Sequence, residues 1–310
     1  MKVVIAEPIK KELSDLIKKN GMDWVVYEDF PKDKNEFITR VKDADIACSY
    51  FSKFDVDVLE VSPKLKYLAI AAVGAEASVD MDYANSNGVT VMNCPGYNSQ
   101  AVAEIAVGLA FDIARSISYM NNKLANGKWA NGDQLGRMQI SGKKIGLIGY
   151  GNIGHAIHKI LSSLCDDFLI INSSSSKEDI DKVVAESDVI FICCSLNDDT
   201  RGLISYQRLK MMKKAAILVN IARGAVVDED ALYEVLESKS IAGAGLDVFV
   251  DEPLAGEVLP ESIARFTRLD NTVCLPHIAA GTKESGEALS QMIYYNILSC
   301  LKGDPQNIYS

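Results

Sequence analysis

Residues 143 to 154 read Lys143-Lys144-Ile145-Gly146-Leu147-Ile148-Gly149-Tyr150-Gly151-Asn152-Ile153-Gly154. An apolar strand feeds a G-x-G-x-x-G turn, and a helical segment over 153–164 leaves it. The first glycine permits the tight turn, the second lets main chain approach a pyrophosphate, and the third lets the helix lie close to the strand. Unpaired N–H groups at the helix start would then face the phosphates. Three glycines at these offsets arise by chance in about one chain in ten of this length. The strand before and the helix after turn the spacing into a dinucleotide fingerprint, placing Gly149, Gly151, Asn152, Ile153 and Gly154 against the cofactor. At the end of the next strand the fingerprint expects an acidic side chain for the adenosine ribose. Asn172 stands there instead, followed by Ser173, Ser174, Ser175 and Ser176.

On either side of this stretch, short runs rich in Val, Ile and Ala alternate with amphipathic segments. Runs at 144–148, 168–171, 189–194, 216–220, 242–247 and 272–275 predict one series of buried strands. A second series at 2–6, 24–27, 46–49, 67–72 and 89–92 precedes it, with helical spacing at 10–19 and 34–42. Strands separated by helices mean βαβ units, so the fold class is α/β with two doubly wound parallel sheets, Rossmann or flavodoxin-like. Cys94-Pro95-Gly96-Tyr97-Asn98 breaks the first series, and one long helix is predicted over 100–126. The last periodic stretch, 283–301, has no strand after it and must pack on something already built.

The 310 residues fit two domains at about 150 residues each. A composition of 48% hydrophobic and 24% charged residues excludes disordered, collagen-like and disulfide-stapled classes. With 32 basic against 42 acidic residues the net charge is −10, which opposes nucleic acid and anionic membrane surfaces as partners. Seven cysteines lie scattered in apolar segments without metal or redox spacing and read as reduced interior thiols. Glu7 and Pro8 interrupt the N-terminal apolar run, so no signal peptide is visible, and the expected compartment is the cytoplasm.

Further polar residues fall at strand ends. Arg223, in Asn220-Ile221-Ala222-Arg223-Gly224, stands where a ligand crevice should open, although alone it reads equally well as a surface ion-pair arginine. Asp247 lies in Gly245-Leu246-Asp247-Val248-Phe249, and Asp251-Glu252-Pro253 taken singly is an ordinary turn. His277, in Leu275-Pro276-His277-Ile278-Ala279, is the one histidine outside the nucleotide helix, and alone it would pass for a core residue. His155 and His158, on that helix, read as surface or packing residues.

Taken together, N-x-A-R-G, G-L-D-V-F-x-x-E-P and P-H-I-A in this order, downstream of G-x-G-x-x-G, resemble the D-isomer-specific 2-hydroxyacid dehydrogenase family. The resemblance covers nearly the whole chain, including Gly96-Tyr97-Asn98, Ala101-Val102-Ala103-Glu104 and Gly127-Lys128-Trp129. It implies a substrate-binding domain from both chain ends, 1–98 and 282–310, a dinucleotide-binding domain over 99–281, and a cleft between them. It also implies NAD(P)-dependent interconversion of a 2-oxo acid and a D-2-hydroxy acid, mainly as a reductase. The alternative it leaves is a nucleotide-sensing binding protein similar to the C-terminal binding protein corepressors. The chain stops short of the regulatory domain that long phosphoglycerate dehydrogenases add, and formate dehydrogenases carry Gln where Glu252 stands. Cys194-Ser195-Leu196 replaces a segment that contains proline in many relatives.

In the mechanism so implied, His277 exchanges the proton, Glu252 orients its ring, and Arg223 clamps the substrate carboxylate. The amides of Val73, Gly74 and Ala75, in a glycine turn after a strand, are a second carboxylate site. Tyr50, Phe51 and Ser52 are candidates for recognising the substrate side chain, and the two aromatics favour an apolar or aromatic substituent. Asp247 is expected near the nicotinamide and Thr200 near the diphosphate, with Cys194, Ile221 and Ala279 also lining the cofactor. No metal is expected. The neutral Asn172 and its serines favour NADP(H) over NAD(H), and a homodimer is expected through 100–126 and the segment ending at Trp129.

Overall fold

The computed structural model describes residues 1–75, 78–129, 138–254 and 256–309. In chain order the elements are β1 (Val3–Ile5), α1 (Lys11–Lys19), β2 (Val25–Val26), α2 (Lys34–Val41), β3 (Ile46–Ser49), α3 (Val56–Glu60), β4 (Tyr67–Ile70), α4 (Met81–Ser86) and β5 (Thr90–Met92). Next come α5 (Ser99–Arg115), α6 (Ile117–Ala125), β6 (Ile145–Ile148), α7 (Asn152–Leu161), β7 (Phe168–Ile171), α8 (Lys177–Glu186), β8 (Val189–Ile192), α9 (Tyr206–Met211), β9 (Ile217–Asn220), α10 (Glu229–Glu237), β10 (Gly243–Leu246), α11 (Glu261–Thr267), β11 (Thr272–Cys274) and α12 (Lys283–Leu301). They fall into two compact units, Met1–Asn98 with Gly281–Ser310, and Ser99–Ala280.

The first unit is a parallel sheet in the order β2-β1-β3-β4-β5. Apart from the edge strand β2, its strands are too short to alternate polar with apolar residues and instead bury both faces, as parallel strands under helices do. Val4, Leu68 and Ile70 face a core shared with Phe37 and Val41 of α2, while Val3, Ile5 and Ala69 face Leu13 and Ile17 of α1 and Leu289, Ile293 and Ile297 of α12. Asp33, Asp55 and Asp80 open α2, α3 and α4, each accepting a hydrogen bond from the amide three residues on. After α12 the chain returns to the sheet, where Ile308 pairs antiparallel with Met92.

The second unit is a parallel sheet in the order β11-β10-β9-β8-β6-β7. Ile148, Ile190 and Leu218 lie on one face, against the side chains of α8 and α10. Leu147, Phe191 and Val219 lie on the other, against α5 and α7. The single helix predicted over 100–126 is two helices in the structure. Ser116 adopts a left-handed conformation, φ 55°, between α5 and α6, and the Ser118 amide donates to Asp112 Oδ1 at 2.8 Å, closing the bend. Among the described residues no helix is long and apolar enough to cross a membrane.

Candidate active site

The glycine loop follows β6, beside the point where the chain order of the second sheet reverses between β6 and β8. Gly149 has φ 100°, and a Cβ there would stand 2.5 Å from the Cys194 amide nitrogen, so both conformation and space require glycine. A Cβ on Gly154 would lie 2.4 Å from the Gly149 carbonyl oxygen. At Gly151, by contrast, a Cβ would meet nothing within 4 Å. Gly151 is also the N-cap of α7 and brings no side chain to the helix start. Open space in front of uncapped amides at the positive end of a helix dipole suits a pyrophosphate. Asn152 and Ile153 form the first turn.

Beneath this loop Cys193 Sγ contacts the Gly149 carbonyl at 2.9 Å, and burial pushes the Cys193 thiol up to about 12. Cys194 adjoins it, and burial raises its thiol to about 11. All seven cysteines are unpaired. His155 and His158 are packing residues: the Tyr150 ring stacks on His155 at 3.9 Å between centroids, and His158 lies against Phe168 at 4.0 Å.

Past β7, Asn172 Oδ1 accepts from the Ser174 amide at 2.9 Å and the Ser174 hydroxyl at 2.7 Å. Ser176 is committed to a capping box with Asp179 that starts α8. Ser173 is exposed. Thr200 folds its own loop, its hydroxyl donating to the Ser195 carbonyl at 2.7 Å. Ile221 and Ala279 belong to the core packed against α5 and α7.

The polar centre forms where β9, β10 and β11 end. Asp247, 1% exposed, grips three consecutive amides. Its carbonyl accepts from His277 at 2.9 Å, and its carboxylate accepts from Ile278 at 2.9 Å and Ala279 at 3.1 Å. That grip holds His277 at φ 53°, a left-handed conformation that costs a non-glycine residue about 1–2 kcal/mol. Burial raises the Asp247 carboxyl despite the two amides.

His277 Nδ1 meets Glu252 Oε2 at 2.7 Å, while Glu252 Oε1 accepts from the Phe249 amide at 3.0 Å. A carboxylate only accepts, so Nδ1 carries the hydrogen and Nε2 is the atom left for substrate. The hydrogen bond from Glu252 raises the His277 pKa, against burial and the positive charge of Arg223, which lower it. Burial pushes the Glu252 carboxyl up, but the His277 bond and the Phe249 amide outweigh it and leave the carboxyl lowered.

Arg223 is exposed, with Nη1 donating to its neighbour Ala222's carbonyl at 2.7 Å. Its loop is drawn to the Glu252 loop by Gly224, where a Cβ would stand 2.1 Å from the Phe249 carbonyl carbon. Glu229, which the sequence reading passed over, anchors the same loop by accepting from the Val250 amide at 2.8 Å. Arg223, Glu252, His277 and Asp247 are therefore brought together within one unit. Among the described residues no group of three or more His, Cys, Asp or Glu side chains could hold a metal.

In the first unit Asn93 Nδ2 donates to the Val73 carbonyl, steadying a loop in which the amides of Val73, Gly74 and Ala75 donate to no group among the described residues. Tyr50, Phe51 and Ser52 follow β3. Tyr50 is half-buried, its ring against the core under α1 and α12 and its centroid 6.4 Å from that of Phe51. Phe51 is the aromatic left at the surface, 70% exposed. Glu7, missed in the sequence, holds this loop through its main chain, a long-range pairing for which no local pattern exists.

A parallel sheet with a glycine loop at its point of reversal, and a glutamate-buttressed histidine on its neighbouring strand ends, defines a dinucleotide-dependent dehydrogenase. Comparison with known proteins gives the family. Residues 107–279 match the model of the D-isomer specific 2-hydroxyacid dehydrogenase NAD binding domain. Over the chain's length it is 33% identical to a glyoxylate reductase of Thermofilum pendens, covering 97% of this chain and 90% of that protein. It is 34% identical to a D-3-phosphoglycerate dehydrogenase of Archaeoglobus fulgidus across 98% of this chain, but spans only 58% of that relative's length. A D-lactate dehydrogenase from Lactobacillus jensenii, solved with NAD+, superposes with a TM-score of 0.84 at 27% identity over the whole of both chains. The chain belongs to the D-isomer specific 2-hydroxyacid dehydrogenases, a family of nicotinamide-dependent oxidoreductases. Relatives named as reductases and dehydrogenases do not favour the binding-protein alternative.

Proposed function

We propose that this protein reduces a small 2-oxo acid to the D-2-hydroxy acid. The observation that carries the reading is the 2.7 Å contact between His277 and Glu252 with the Arg223 charge beside it. When bound, a nicotinamide supplies the hydride that the substrate's carbonyl carbon receives. His277, kept protonated by Glu252, donates from Nε2 to the carbonyl oxygen as negative charge develops there. Arg223 pairs with the substrate carboxylate through its planar fork and polarises the carbonyl. The amides of Val73, Gly74 and Ala75 hold carboxylate oxygen, and Phe51 and Ser52 meet the substituent. Asp247 sets the orientation of His277 through the main chain. The test is oxidation of NADPH and NADH with glyoxylate, hydroxypyruvate, pyruvate, phenylpyruvate and branched 2-oxo acids. His277→Ala should lower kcat by about 100-fold or more, the scale of positioned general acid catalysis, with dinucleotide affinity retained. A near-normal kcat removes His277 from the mechanism.

We further propose a preference for NADPH. The support is the neutral amide at Asn172, where an acidic side chain would repel a 2′-phosphate, together with the Ser173 and Ser174 hydroxyls around it. Lys177, at the start of α8, is the nearest cation in sequence. The ratio of kcat/KM for NADPH over NADH should exceed one and fall in Asn172→Asp. An NADH preference beyond about tenfold, or 1.4 kcal/mol in transition-state binding, overturns it.

A further inference from the structure

Three asparagines close a ring of hydrogen bonds beside the end of β5. Asn296, on α12, donates through Nδ2 to the Asn93 carbonyl at 2.8 Å. Its Oδ1 accepts from Asn307 Nδ2 at 2.8 Å, and the Asn307 carbonyl accepts from the Asn93 amide at 3.1 Å. Asn93 and Asn296 are buried, where an amide side chain is costly unless its polar ends are met. Asn296 must donate at one end and accept at the other, which neither Leu nor an ionised Asp, its nearest equivalents in size, can do. Asn307 has φ 53°, a left-handed conformation that asparagine adopts more readily than most residues. Just beyond it the Tyr309 amide donates to the Val91 carbonyl at 2.8 Å, so the segment carrying Asn307 is held along β5.

One arm leaves the ring. The Asn93 side chain takes no part in it, and its Nδ2 donates to the Val73 carbonyl. Among the described residues no peptide bond is cis, and in a trans peptide the carbonyl oxygen and the N–H that follows it point in opposite directions. Holding the Val73 carbonyl against Asn93 therefore aims the Gly74 N–H away from residues 93 and 94. The Ala72 carbonyl, which accepts from the Cys94 amide at 2.8 Å, aims the Val73 N–H by the same geometry. Cys94 does this with main chain, which any residue supplies. Asn93 does it with a side chain, and the ring is what fixes that side chain's main-chain base on both its N–H and its carbonyl.

We infer that Asn93 is the positioning residue that aims the Gly74 amide at the substrate carboxylate, and that Asn296 and Asn307 act through it. Affinity for the carboxylate thus depends on α12 and the segment after it, whose asparagines need not touch substrate. This rests on reading the amides of Val73, Gly74 and Ala75 as a carboxylate site. Asn307 is the place to probe the ring, because glycine there keeps the left-handed backbone and its carbonyl while deleting only the side-chain donor.

The test uses the full chain with NADPH bound and oxamate as an unreactive carboxylate probe. It measures millisecond hydrogen exchange at residues 73–75, the Ki of oxamate, and kcat and KM for pyruvate and glyoxylate. In the wild type, oxamate should slow exchange at 73–75, and no slowing overturns the carboxylate reading and the inference with it. Given that slowing, Asn307→Gly should raise the Ki of oxamate and both KM values about fivefold, the scale of one hydrogen bond, with kcat and the Kd for NADPH near wild type. Asn93→Ala, which deletes the arm itself, should raise them at least as much. A lowered melting temperature with Ki and KM unchanged in both variants makes the asparagines merely structural and overturns the inference while sparing the carboxylate reading. So does a loss confined to kcat, or oxamate protection at 73–75 retained in full in Asn93→Ala. A smaller effect in Asn93→Ala than in Asn307→Gly overturns the order of action. If Asn307→Gly does not fold, Asn307→Asp, which sets an oxygen against Asn296 Oδ1 in place of the donor, is read by the same criteria.

Discussion

His277 titrates against a carboxylate 2.7 Å away, and the direction of its shift fixes how the reaction should answer to pH. The ring holds its proton above the ordinary histidine value, chiefly through the Glu252 hydrogen bond. Reduction needs the imidazolium, so its kcat/KM should be level at low pH and fall as pH rises through the raised value. Oxidation of the hydroxy acid needs the neutral ring and should show the opposite limb. Glu252→Gln removes the main cause of the shift, and the descending limb should move to lower pH. A limb that stays in place would show that some other group sets it. The same raised pKa stabilises the folded state fully below the ordinary histidine value, and that contribution is lost as pH rises through the raised one.

The turn from β6 into α7 separates glycines that serve the fold from the one that serves the ligand. Gly154→Ala forces a Cβ to within 2.4 Å of a main-chain oxygen and should lower the melting temperature along with dinucleotide affinity. Gly151→Ala places a methyl in open space at an ordinary φ of −83°. Its melting temperature without cofactor should stay near wild type while the Kd for dinucleotide rises about tenfold or more. Equal melting losses in both variants would contradict the assignment. This turn was legible in sequence because its constraint is local, as were buried strands such as β3 and β9, whose apolar runs end at polar or turn residues. The break at Ser116 was not, since helical periodicity continues on both sides and a serine gives no sign of a positive φ. Glu7 was invisible for a different reason, its partners being main-chain amides more than forty residues away. The pairing of Glu252 with His277, 25 residues apart, was reached only through the family pattern.

For the whole molecule we propose a homodimer. The support is α6, which buries none of its residues in the single chain; its own Ile117 and Leu124, with Trp129 just beyond it, are 56%, 55% and 90% exposed. So much apolar surface in one place marks an association site, and family likeness makes a second copy the occupant. Sedimentation at micromolar concentration should give twice the 33.8 kDa chain mass, and Trp129→Glu with Ile117→Glu should shift it to one. A wild-type monomer overturns the proposal.

The division of the first unit between the two ends of the chain sets an order of events during translation. Strands β1 to β5 leave the ribosome early, but the helix that covers one side of their sheet, contributing Leu289, Ile293, Tyr294 and Ile297, is made last. At about 5–20 residues per second the wait for those roughly two hundred residues is on the order of 10–40 s. Meanwhile Ser99–Ala280, which is continuous, can finish folding. Synthesis should therefore invert sequence order, the later unit maturing first while the earlier one stays open to proteases and chaperones. Ribosome-bound chains stalled shortly before α12 should yield a protease-resistant core spanning 99–280 and rapid cleavage within 1–98, and protection of both regions at that length would rule the inversion out.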